Sequence, residues 1–244
     1  MPIPQIVQTA QGTSVAVNVT TISATFASKP AEGNLLLCFV IGGTINSTQI
    51  WFSSTSNTFS TPNGISQLCN TAYSFAGSNE AQTITAAYIG TATTMTIFIM
   101  EISGVDRLNP FDTSVAYTAV NTNNTTRSLL ATVNVRQANR VNQLWLTALM
   151  LGGAGSGSIT YKFDHLQPTF VSPEYSVNPG GTVRSISIGV RPLDVGYEAN
   201  TPLPVNGTGV GIVWSWVTNR PTTQIFVPIN AAPPADGMIQ TSGL

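Results

Sequence analysis

The chain has 244 residues, with 9 Lys+Arg and 10 Asp+Glu for a net charge of −1. Charged residues make up 8% of it, against roughly 25% in ordinary soluble domains, so no electrostatic footprint for DNA, RNA or a membrane surface is present. With 42% hydrophobic residues the chain is not a disordered one, and its length suits one large β domain or two small ones.

The N-terminal segment MPIPQIVQTAQG lacks a charged region followed by an apolar one, so no secretory signal is expected. Residues 1–12 read as an extended arm that includes the strand-like PQIVQTA (4–10), with Pro2, Ile3 and Pro4 as candidate contact residues. SVAVNVT (14–20) and SATFAS (23–28) follow as β-rich runs, and NVTTISATF alternates as a half-exposed strand should. NLLLCFVIG (34–42) is apolar on both faces, which predicts a strand covered twice, by a second sheet and by a loop or neighbouring subunit. Cys38 alternates with Leu36 and Val40 in that run and reads as a buried thiol. Further strands are expected at TQIWFS (48–53), SQLCNTAYSFA (66–76), AQTITAAYI (81–89) and TMTIFIMEIS (94–103), the last again apolar on both faces.

The second half offers TSVAYTAV (113–120), SLLATVNV (128–135), NQLWLTALML (142–151), SITYKF (158–163), TVRSISIGV (182–190), GVGIVWSWV (209–217) and TQIFVPI (223–229). No stretch holds a helical period with caps, and alternating strand-helix units are absent, which excludes a parallel α/β sheet. The expectation is an all-β, two-sheet antiparallel sandwich of jelly-roll kind, with an immunoglobulin-like pair of domains as the alternative. The sandwich spans 13–229 as a single domain, with two halves meeting near 121–141. Residues 230–244 read as a Pro/Gly-punctuated tail, with Pro233, Pro234, Met238 and Ile239 as candidate contacts. A surface with so little charge repels its neighbours weakly, which suits a component of an assembly.

Catalytic constellations are scarce. His165 is the one histidine, and no Gly-x-Ser-x-Gly elbow surrounds any serine. Asp164-His165 has no sequence neighbours to complete a metal site, and no Walker or dinucleotide fingerprint occurs, so no cofactor and no metal are expected. The reading is therefore a non-enzymatic one. Trp145, Trp214 and Trp216 read as core. Trp51, Tyr175 and Tyr197 lie at strand ends or near loops and remain candidates for stacking on a carbohydrate. Glu101 ends the apolar row Met95, Ile97, Ile99, where a lone carboxylate must be satisfied. It is expected to form a structural clamp, with the Gly104 turn and Asp106-Arg107 supplying donors.

The same stretch carries a resemblance. Gly33-Asn34-Leu35-Leu36, followed by Glu101-Ile102-Ser103-Gly104-Val105, Pro110 and Asp112, resembles a jelly-roll-like sandwich family of tailed-phage virion proteins and of bacterial surface or prophage proteins. Many such motifs carry Tyr where this chain has Ile102. The resemblance covers about 20–120 and implies a virion structural module, made in the bacterial cytoplasm and carried on the particle exterior. One placement is a capsid decoration, or cement, protein bound to the major capsid protein or another virion protein, as a homo-oligomer (a trimer by analogy). The other is a tail-fibre or receptor-binding module that recognises a host carbohydrate.

Overall fold

The structure is a computed structural model that describes residues 3–14, 19–42, 48–53, 57–59, 69–92, 95–111, 122–131, 143–153, 160–163, 170–171, 175–177, 183–193 and 210–233. The described residues form strands and connecting turns, with no helix among them, and all the sheet pairings are antiparallel. The described part of the chain is all-β, as its composition and periodicity predict.

The described strands form three sheets. The first has five strands in the order β1 (Gln5–Ser14), β8 (Met95–Ser103), β3 (Leu35–Gly42), β6 (Cys69–Phe75) and β5 (Asn57–Phe59). A smaller sheet runs β2 (Val19–Thr25), β7 (Thr83–Ala92), β4 (Thr48–Trp51). The third is built from strands of the second half of the chain and centres on β15 (Val210–Asn230), β10 (Gln143–Gly153) and β14 (Val183–Leu193). β9 (Thr122–Ala131) and β11 (Thr160–Phe163) pair with β15. The short β12 (Phe170–Val171) and β13 (Tyr175–Val177) pair with β14.

The unbroken apolar runs explain the stacking. Leu35 to Val40 on β3 and Met95 to Ile102 on β8 are buried, with side chains alternating between two faces. On one face Leu35, Leu37, Phe39, Phe98, Met100 and Ile102 pack with Leu144, Leu146 and Ala148 of β10 and Ile229 of β15. On the other, Leu36, Cys38, Val40, Met95, Ile97 and Ile99 meet Ile22 and Ala24 of β2, Ile50 of β4, and Ile84 and Ala86 of β7. The double cover expected from the sequence is thus supplied by two sheets of the same chain. Beyond the expected pair of sheets, the described residues form a third. Full burial of each large aliphatic side chain contributes about 1.5–3 kcal/mol, so the central strands anchor both cores.

The described parts of the expected arms, residues 3–12 and 230–233, pack against the β8 region of the same chain. β1 occupies most of the expected N-terminal arm and forms the edge of the five-stranded sheet, paired with β8. A bulge between Ile6 and Gln8 leaves Val7 outside the pairing and 51% exposed. At the other end, residues 229–232 are joined to the loop after β8. Val105 bridges Ala231 and Phe111 bridges Ile229. Backbone bonds run from Asp106 N to Asn230 O (3.0 Å), Asn230 N to Pro110 O (2.9 Å) and Ala232 N to Gly104 O (2.8 Å). Parts of the two runs expected at 14–20 and 23–28 belong to one strand, β2, and the two strands expected at 209–229 are one long strand, β15.

Candidate functional site

Glu101 is the most enclosed acid of the apolar rows, at 1% exposure. Its position on β8 puts it on the face of Ile97 and Ile99, beyond the last residues of the small sheet's core. Oε1 accepts hydrogen bonds from Ala31 N (2.8 Å) and Asn34 Nδ2 (2.6 Å), and Oε2 accepts one from Gln8 Nε2 (2.5 Å). Gln8 is held in turn by Ser28, whose N (3.1 Å) and Oγ (3.2 Å) donate to Gln8 Oε1. The carboxylate therefore joins β8 to β1 and to the turn that leads into β3.

This corrects the donor set expected from the sequence. Gly104, Asp106 and Arg107 lie in the loop after β8 and do other work. Gly104 has φ +72°, a left-handed turn that favours glycine. Asp106 Oδ1 accepts from Leu108 N (2.9 Å), an Asx turn. The Arg107 guanidinium lies over the Phe75 ring, 5.5 Å from its centroid. The true donors are 67 to 93 residues away in sequence, so no local pattern marks them. One signal was present: Asn34 stands in the Gly33–Leu36 half of the motif, and the structure brings that half onto Glu101.

A second buried carboxylate, Glu80, escaped the sequence reading. It is 2% exposed. Oε1 accepts from Ser53 N (2.9 Å) and Ser53 Oγ (2.5 Å), and Oε2 accepts from Gly77 N (3.1 Å). Ser53 Oγ also accepts from Ala81 N (3.0 Å). Glu80 thereby pins the residues after β4 to the turn before β7. Both carboxylates bind backbone and side-chain donors of their own chain, an arrangement that fixes turns. Among the described residues, no group of three His, Cys, Asp or Glu could hold a metal ion.

Trp51 is the last residue of β4 and is 48% exposed. It pairs with Thr85 of β7, which pairs with Ser23 of β2. Ser23 Oγ and Thr85 Oγ1 are 2.8 Å apart, and in the next row Thr25 Oγ1 and Thr83 Oγ1 are 2.9 Å apart. Tyr175 is in β13, opposite Ile186, on a different sheet from Trp51. Tyr197 lies outside the described residues.

Of the expected contact residues, Ile3 is half-buried and Pro4 is buried. Gly104 faces Pro4, since a Cβ there would lie 3.7 Å from Pro4 Cα. Pro233 is exposed, while Pro2, Pro234, Met238 and Ile239 lie outside the described residues. Exposed large apolar side chains are found instead at Val7, Trp51 and Leu108, the last 88% exposed at the loop after β8. Compared with protein-family models, with curated proteins and with solved structures, the chain finds no match.

Proposed function

We propose that the chain is a non-enzymatic virion structural protein, a capsid decoration protein built on a jelly roll, that binds the shell and stabilises contacts between capsomers. The observation that carries the reading is the nested pairing among the first eight strands: β1 with β8, β2 with β7, and β3 with β6, while β4 adds to β7 and β5 to β6. That nesting, with strand orders 1-8-3-6-5 and 2-7-4, is how a folded-over hairpin rolls into two facing sheets, and such rolls serve in viral capsid and lectin domains. The virion-module resemblance supports the same reading, because its two halves meet where Asn34 donates to Glu101.

Fold alone does not assign a role, so the surface has to. Leu108 and Val7 expose apolar side chains at the end of the five-stranded sheet where β1 begins and β8 ends. With few charges in the whole chain to oppose association, that end is the proposed contact with the major capsid protein. Weak contacts repeated over a shell add up through multivalency. The test is to add purified chain to capsids that lack it and image the particles by electron microscopy. Density on the shell, weakened by Leu108→Asp, is the expected result. Density confined to the tail would replace this reading with a tail-fibre or receptor-binding role.

A further inference from the structure

We infer that the outward face of the three-stranded sheet is a binding site for a neutral carbohydrate, centred on Trp51 and independent of any placement on a capsid. The row Trp51, Thr85, Ser23 crosses all three strands. Neighbouring strands lie about 4.8 Å apart, so the indole and two hydroxyls form a flat strip about two strand spacings wide. The Thr83–Thr25 pair forms a parallel hydroxyl row beside it. A saccharide ring offers the two chemistries this strip can use: an apolar C–H face to lie on the indole, and hydroxyls to exchange hydrogen bonds with Thr and Ser.

Other ligand classes fit poorly. A wholly apolar ligand would cover hydroxyls without replacing their bonds to water. A nucleic acid or acidic glycan calls for cations, and Thr21, Ser23, Thr25, Thr83, Thr85 and Trp51 on this face carry none. Trp51 is also held ready. Ile50 and Phe52 on either side of it are buried, and Ser53 is bonded through N and Oγ to the buried Glu80. A backbone held in place before the ligand arrives leaves less freedom to lose on binding.

The full chain should be applied to an array of neutral and acidic oligosaccharides, and the strongest neutral binder titrated by calorimetry. The expected result is neutral binding that Trp51→Ala weakens by at least about tenfold, the size of a lost stacking contact of about 1.4 kcal/mol. Thr85→Val should weaken it severalfold, and Trp51→Tyr should retain part of it. Thermal midpoints decide whether a variant counts; if Trp51→Ala lowers its midpoint, Thr85→Val and Trp51→Tyr carry the comparison. The inference is overturned if no neutral oligosaccharide binds, if acidic ones bind in preference, or if folded Trp51 and Thr85 variants bind as the natural chain does. None of these outcomes depends on capsid attachment, so the two readings fail separately.

Discussion

At Glu101 three donors from two separate parts of the chain, β1 and the turn before β3, converge on one buried carboxylate. Glu101→Gln keeps the shape but turns one acceptor into a donor that faces another, Gln8 Nε2. A buried donor without an acceptor costs about 1–3 kcal/mol, so urea denaturation should show a loss of about 2 kcal/mol, and a larger loss for Glu101→Ala. No loss would mean that the clasp contributes nothing to folding. The opposite sign is expected at Thr96 and Ser74, whose buried hydroxyls have no hydrogen-bond partner among the described residues. Thr96→Val removes an unmet polar group at nearly constant volume and should raise stability by about 1 kcal/mol in the same assay. The sequence made Glu101 visible because it interrupts the row Met95, Ile97, Ile99. Glu80 was not visible in this way, since it lies in a turn where acids are common and only the fold reveals its burial.

Among the elements, the strands read best where apolar content was densest. β3 and β8 match their expected spans closely because unbroken apolar runs bounded by Gly and Asn leave little choice. β5, β12 and β13 are two or three residues long, too short for alternation to show. Arg220-Pro221 resembles a break between the two strands expected over β15. The strand continues through it, and the pairing with β9 instead shifts between Ser215 and Arg220. The crossing of β1 and β2 was illegible for another reason: it depends on two backbones that meet in space. A Cβ on Gly12 would overlap the carbonyl oxygen of Ser23 and lie 3.2 Å from Ile97 Cγ2. Gly12→Ala must therefore push β2 from β1. A cost of about 3 kcal/mol is expected in urea denaturation, although alanine ordinarily suits a strand better than glycine does. A neutral result would show that the two strands can separate without loss.

For the whole molecule, the decisive fact is that one sheet serves two cores. β3 and β8 bury alternate side chains against the small sheet and against β10 and β15. Periodicity could announce double burial but could not say what supplied the cover, and for that reason a third sheet was not expected. Sharing has a thermodynamic consequence. If β3 and β8 lose their order, both sets of contacts go together, and neither outer sheet retains its apolar partner. The Asn230 side chain strengthens the coupling, since Nδ2 donates to Asn109 O (2.9 Å) and Oδ1 accepts from Gln143 Nε2 (2.9 Å). The chain should then unfold in a single cooperative transition. Tryptophan emission, dominated by Trp145 on β10 and Trp214 and Trp216 on β15, should follow the far-ultraviolet circular dichroism through one midpoint. Glu101→Gln provides the sharper check, because it weakens the five-stranded sheet at a point remote in sequence from β10 and β15. Both signals should move to lower urea together. If the tryptophan transition stayed in place while the dichroism split, the seven-stranded sheet would be a separate folding unit.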